Sequence, residues 1–130
     1  SGACSIAQRA ALKALKSDKS FTLEMREAFR RRRDLVMEGL DQIKGVKKYT
    51  PQGAFYLFPD ISDFFGKSNG KRTIESDSDL CFYLLEEAHV ALVPGSAFGS
   101  PQNIRLSYAA SDEELKEALI RIKTHLDKLK

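Results

Sequence analysis

Arg105 stands between Ile104 and Leu106 in NIRLSYA, residues 103–109. Side chains alternate across a strand, so Ile104, Leu106 and Tyr108 share one face and Asn103, Arg105 and Ser107 share the other. The apolar face can pack on helices. The polar face must look into solvent, a cleft or another body. A guanidinium on a rigid strand offers parallel donors that match both oxygens of a carboxylate. The plainer reading is a surface arginine, or one paired with a structural carboxylate. VPGSAFG, residues 93–99, leads into this run, and its glycines tolerate crowded positions where backbone approaches a ligand.

Other residues that could do chemistry have less to build on. Cys4 and Cys81 lie far apart, with no second cysteine or histidine at metal spacing, and read as two reduced thiols. His89 and His125 fall on separate helical segments, so no metal site is expected. Ser76 and Ser111 each precede an acidic residue by three positions, which is helix-cap spacing, and neither has a histidine base placed beside it. Tyr56 and Tyr108 are expected in the core or at its edge. Arg30 to Arg33 form a run, but four consecutive positions span every face of a helix, so they make no single basic stripe. Glu27 and Asp34 stand at i,i+4 spacing to Arg31 and Arg30 and can pair with them.

The elements that must position Arg105 follow from periodicity. Residues 5–16 read as an alanine-rich helix with a small-residue face. Residues 20–44 read as a long helix, with Gly45 as a left-handed stop, and about 25 residues make it about 37 Å long. GAFYLF, 53–58, reads as a buried strand ended by Pro59. Residues 63–76 read as a mobile surface loop. A helix follows, with Leu80, Cys81, Leu84, Leu85 and Ala88 on one face, then a short strand, VALVP, 90–94. After the strand at 103–109, Leu115, Ala118, Leu119, Ile122, Leu126 and Leu129 give a final helix one apolar stripe. The order predicts an α+β or α/β two-layer domain, a small sheet covered by helices.

Length and composition agree with one globular core. The 130 residues are 42% hydrophobic and 30% charged, and the net charge of +3 is too small to demand a polyanionic partner. No apolar run approaches the roughly 18 residues of a membrane helix, and SGACSIAQRA does not have the form of a signal peptide. A cytoplasmic protein that meets neither membrane nor nucleic acid is the expectation.

The chain resembles the C-terminal part of a fold-type I, class I/II pyridoxal-phosphate-dependent aminotransferase, of the aspartate and aromatic aminotransferase group. SIAQRAALKAL (5–15), PQGAFYLFPDIS (51–62) and VPGSAFG…IRLSYA (93–109) carry the resemblance, and FRRRRDLVMEGLDQIKGV (29–46) is similar to the family's long interdomain helix. It implies a small, mostly antiparallel sheet covered by helices and preceded by that helix. Residues 1–30 would be the end of the large domain and the start of the interdomain helix, and residues 31–130 the small domain. Residues 1–20 would then lack their packing partner here. Arg105 matches the arginine that grips the substrate α-carboxylate, Phe55 a position near the substrate, and Gly53 part of the pocket wall.

The family's imine-forming lysine, the aspartate facing the pyridine nitrogen, the tyrosine at the cofactor oxygen and the phosphate cup have no match here. Lys13, Lys16 and Lys19 lie on or beside a solvent-facing helix, where an ammonium is a poor nucleophile. No catalytic residue is therefore assigned, and no cofactor is expected on this fragment. The implied parent is a homodimer that exchanges an amino group between an amino acid and a 2-oxo acid, and the fragment alone would be inactive. Two alternatives stay open: another fold-type I enzyme such as a C–S lyase, and a stand-alone basic nucleic-acid-binding module.

Overall fold

The computed structural model describes residues 2–130, so the first residue of the expected 1–30 unit lies outside the described residues. Alanine favours helix, and α1 (Ser5–Lys16) forms as the sequence predicts, yet none of its residues is buried. It ends at Ser17, whose hydroxyl donates to the Lys13 carbonyl at 2.8 Å. The next helix, α2 (Ser20–Asp41), is exposed from Ser20 through Glu27 and buries Val36 and Leu40 near its end. It stops three residues short of the expected end. The last turn tightens to i→i+3 bonds, Gln42 N–H to Gly39 O at 3.2 Å and Ile43 N–H to Leu40 O at 3.1 Å. Gly45 then takes φ 94° beyond the helix end.

The sheet is built from β1 (Tyr56–Leu57), β2 (Val93–Pro94) and β3 (Ile104–Ser107), in the order β1-β3-β2 with both pairs antiparallel. The α+β architecture expected from the sequence is present, with shorter strands than the apolar runs suggested. Ala54 at φ 63° breaks the extended backbone before β1, and Pro59 and Pro94 lack the N–H a ladder needs. Ile104, Leu106 and Tyr108 are buried together, as alternation requires.

Residues 63–76 are packed rather than loose. Phe64 and Ile74 are buried, Ser68 bridges Thr73, and Ser68 and Lys130 exchange backbone hydrogen bonds of 2.9 and 3.0 Å. The hydrophobic residues hidden among the glycines supply that packing.

Ser76 caps α3 (Asp77–Ala88) by accepting from Asp79 N–H at 3.1 Å. Leu85 of its expected apolar face is exposed, and Tyr83 is buried instead, with its hydroxyl donating to His125 O at 2.9 Å. Ser111 opens α4 (Asp112–Leu126) with a full capping box closed by Glu114. Gly39 lets α2 and α4 approach, because a Cβ there would lie 2.5 Å from a Leu119 methyl.

The arginine run pairs differently from its spacing. Arg30 meets Glu27 at 3.5 Å, Arg33 meets Asp34 at 2.7 Å, and Arg31 and Arg32 both reach Asp112 of α4, at 2.9 and 3.4 Å. Packing of α4 beside α2 brings a carboxylate that local spacing could not reveal. The Arg31 guanidinium holds Asp112 below the usual carboxylate range, and the Ser111 backbone N–H does the same for Glu114. Carboxylates with depressed folded-state pKa values give stability that is present above their unfolded values and lost as pH falls through the folded ones. Tm is therefore expected to be flat above about pH 5 and to fall below it. Asp18 and Asp60 are held low as well, by Ser20 and Ser62, so the combined variant Asp112→Asn, Glu114→Gln should make that acid slope shallower, and an unaltered slope would exclude these two groups as contributors.

Among the described residues there is no disulfide. Nor does any group of three or more His, Cys, Asp or Glu there stand ready for a metal ion. No helix there is long and apolar enough to cross a membrane. Burial pushes the Cys81 thiol up to about 12, whereas Cys4 is exposed and held below its ordinary value by the Ala7 and Ile6 N–H groups of α1. Thiolate is the reactive form, so iodoacetamide should label Cys4 in the native protein and Cys81 only after unfolding. Mass spectrometry of the native adduct decides this, and native labelling at Cys81 would contradict it.

Candidate functional site

Arg105 lies at the centre of β3, opposite Val93 of β2. Residues directly opposite in an antiparallel pair share a face, so Tyr56, paired with Ser107, stands on the Arg105 side. The guanidinium carbon lies 4.7 Å from the centroid of the Phe98 ring and 5.6 Å from that of Tyr56. Both are cation–π distances, and the aromatic carbon beside the guanidinium limits solvent screening around it. Phe58 braces Phe98 edge to face at 6.1 Å.

Phe98 is delivered by a 3₁₀ turn, Gly95–Phe98, that joins β2 towards β3. The turn is closed by Gly95 N–H to Asn103 O at 2.9 Å and Ser100 N–H to Gly95 O at 3.0 Å. Only glycine fits there, because a Cβ would lie 2.3 Å from Ser100 O and 2.4 Å from Asn103 O. Asn103, on the same face as Arg105, donates to Phe58 O at 2.9 Å and accepts from the Ser100 hydroxyl at 2.6 Å. The polar neighbours of Arg105 are thus engaged in holding the frame.

Arg105 itself is half-buried and takes part in none of the ion pairs or side-chain hydrogen bonds among the described residues. Other arginines of this chain, Arg31 to Arg33, lie against carboxylates. A guanidinium with its donors free can bind a carboxylate or a similar oxyanion.

Beside Tyr56 lies a hollow of about 410 Å³ lined by Tyr49, Thr50, Pro51, Gly53, Ala54, Tyr56, Phe58 and Asn103. Gly53 is exposed and lines this hollow and a neighbouring one of about 380 Å³. Phe55, 52% exposed, lines only the neighbour, with Arg26, Phe29, Arg30, Arg33 and Tyr108. Gly53 thus borders both hollows and Phe55 one of them, whereas Arg105 lines neither and meets the first only through the Tyr56 ring. A larger cavity, about 740 Å³ between α4 and residues 89–92, is lined by none of the three.

Two members of the site escaped the sequence reading. Tyr56 was expected in or beside the core, although alternation with buried Leu57 assigns it to the opposite face. VPGSAFG reads as a turn, and a turn forms there, but that it carries the Phe98 ring to Arg105 depends on how the turn packs between β2 and β3.

A sequence model of the family described as aminotransferase class I and II matches residues 1–122. The aspartate aminotransferase of Rhizobium meliloti strain 1021 is 51% identical over 127 residues, which cover 96% of this chain and 31% of that protein. The aspartate/prephenate aminotransferase of Cereibacter sphaeroides is also 51% identical, over 94% of this chain and 31% of its own length. A crystal structure of the Rhizobium meliloti aspartate aminotransferase superposes with a TM-score of 0.91 at 48% identity, covering 96% of this chain and 32% of that one. The chain thus spans about a third of the length of the curated relatives it matches. With its fold, its arginine-bearing strand and these likenesses in agreement, the chain belongs to the class I and II aminotransferase family.

Proposed function

We propose that this chain is the substrate-carboxylate-binding C-terminal domain of an enzyme that moves an amino group between an amino acid and a 2-oxo acid. The observation that carries the reading is the half-buried guanidinium of Arg105, free of ion pairs among the described residues and lying 4.7 Å from the Phe98 ring centroid and 5.6 Å from that of Tyr56. Both classes of substrate carry a carboxylate that such a fork can grip. The names of the relatives, aspartate and aspartate/prephenate aminotransferases, favour transamination over the C–S lyase alternative. Pairing of Arg30 to Arg33 with acids weighs against a nucleic-acid module, which would need those charges free.

The family implies pyridoxal phosphate in the full-length enzyme, where it supplies the electron sink for amino-group transfer. The described residues do not fit that group. An imine-forming lysine needs a site that depresses its pKa. The least exposed lysine side chain among the ion pairs, Lys48 at 12%, is held by Asp41, and Lys47 is pushed up by its pairing with Asp63. We therefore place the lysine and the cofactor cradle outside this chain and derive no step through them.

The same reading makes residues 1–30 the end of the large domain and the start of the interdomain helix, and residues 31–130 the small domain. Support comes from the exposure of every residue from Gly2 to Glu27. Ile6, Leu12, Leu15 and Phe21 are exposed apolar side chains that the rest of a cytoplasmic, homodimeric enzyme would cover. Phe55 and Gly53 would stand near the substrate, as wall rather than reacting groups. The test is replacement of Arg105 in the full-length enzyme, read as KM for L-aspartate. A KM that does not move removes the clamp.

A further inference from the structure

We propose that Asp77 is a positioning residue for Arg105, acting through the turn that carries Phe98. The inference rests on the reading of Arg105 as the carboxylate clamp. Among the described residues Asp77 is the buried charged one, 2% exposed. No lysine or arginine among the described residues pairs with it. A carboxylate taken from water must find donors, and Asp77 finds two backbone amides. Its Oδ1 accepts from Ser78 N–H at 2.9 Å, and its Oδ2 accepts from Ser96 N–H at 2.6 Å.

The helix does not need Asp77 as its cap. Ser76 already caps α3, accepting from Asp79 N–H at 3.1 Å. What Asp77 adds is the bond to Ser96, 19 residues away in sequence. Ser96 sits inside the Gly95–Phe98 turn, and that turn ends in the ring lying 4.7 Å from the Arg105 guanidinium carbon. Phe98 is 53% exposed, so the core does not fix it. Its position depends on the edge of Phe58 and on where the turn is tied down. A charge-assisted bond from a buried carboxylate is a strong tie, and its far end is anchored in α3, whose Leu80, Tyr83 and Leu84 are buried. Asp77 thereby fixes the aromatic wall against which the guanidinium fork is aimed.

The experiment is a double-mutant cycle in the full-length enzyme, with KM and kcat measured for L-aspartate. Asp77→Ala is expected to raise KM roughly tenfold and to leave kcat within about twofold, because only the aim of the clamp is lost. In an Arg105→Ala background the same substitution should raise KM no further. Independent, additive effects would overturn the proposal, as would a lowered Tm with KM unchanged, which is the signature of a merely structural residue. Should Asp77→Ala fail to fold, Asp77→Asn carries the test. It keeps one acceptor but loses the charge, so KM should rise about threefold, and an unchanged KM overturns the proposal. If Arg105→Ala alone leaves KM unmoved, the clamp falls and this inference falls with it. If Arg105→Ala raises KM and the Asp77 variants do not, this inference alone fails.

Discussion

Arg105→Ala in the full-length enzyme is expected to raise KM for both the amino acid and the 2-oxo acid by about 100-fold or more, a loss of about 2.7 kcal/mol. The figure follows from the setting of the side chain. Its guanidinium carbon lies 4.7 Å from the Phe98 ring centroid and 5.6 Å from that of Tyr56, and among the described residues no carboxylate pairs with it. A substrate carboxylate would then make a two-pronged, partly desolvated contact, and truncating one partner leaves the other unpaired. Arg105→Lys should recover only part of the loss, with KM still about 10-fold raised, because an ammonium is a point charge without the planar fork. Steady-state kinetics with each substrate varied in turn make the measurement. Equal KM in wild type and Arg105→Ala would remove the carboxylate role. Equal KM in the Lys and wild-type enzymes would reduce it to simple charge attraction.

The second large effect is structural and lies in the turn beside that arginine. Gly95→Ala is expected to destabilise the protein by about 3 kcal/mol, because overpacking against immovable atoms has no cheap relaxation. The added Cβ would meet two backbone carbonyl oxygens, Ser100 O and Asn103 O, inside 2.5 Å. Those carbonyls accept no easy shift, since Asn103 O receives the Gly95 N–H and Asn103 also holds Phe58 O. Any turn that does form should displace Phe98, so KM should rise together with the fall in stability. Gly53→Ala is the matched control. A Cβ there meets nothing within 4 Å, so its stability should change by less than about 0.5 kcal/mol. Urea midpoints of the two variants decide the contrast. Similar losses at both positions would mean that crowding by backbone is not what makes Gly95 necessary.

Local pattern decided a great deal of this protein. Period-2 alternation separated Ile104, Leu106 and Tyr108 from Arg105, and the structure buries the first three. Serine followed three residues later by an acid fixed the starts of α3 and α4. The alanine-rich stretch became a helix, because propensity acts residue by residue and needs no partner. Quoted motifs in family order pointed to the aminotransferases, to which the chain belongs. All of these depend on residues within a few positions of one another, and such information is written in the sequence directly.

What the sequence could not carry was distance between residues far apart along the chain. Arg31 pairs with Asp112 rather than with Glu27, and Arg32 joins it there, because α4 packs beside α2 and side-chain reach, not spacing, chose the partner. Residues 63–76 read as a loop from their glycines, yet Phe64 and Ile74 reach the core and hold them down. Strand ends were set by Ala54, Pro59 and Pro94, where backbone geometry overrode the apolar run. The site itself was half legible. Arg105 could be named from alternation and resemblance, whereas Phe98, Tyr56 and the tie from Asp77 to Ser96 came only from the fold. A sequence states which groups are available to bind a carboxylate. Only the tertiary structure decides which of them, like Arg31 to Arg33, are already held by a carboxylate and which, like Arg105, are placed among aromatic rings with their donors free.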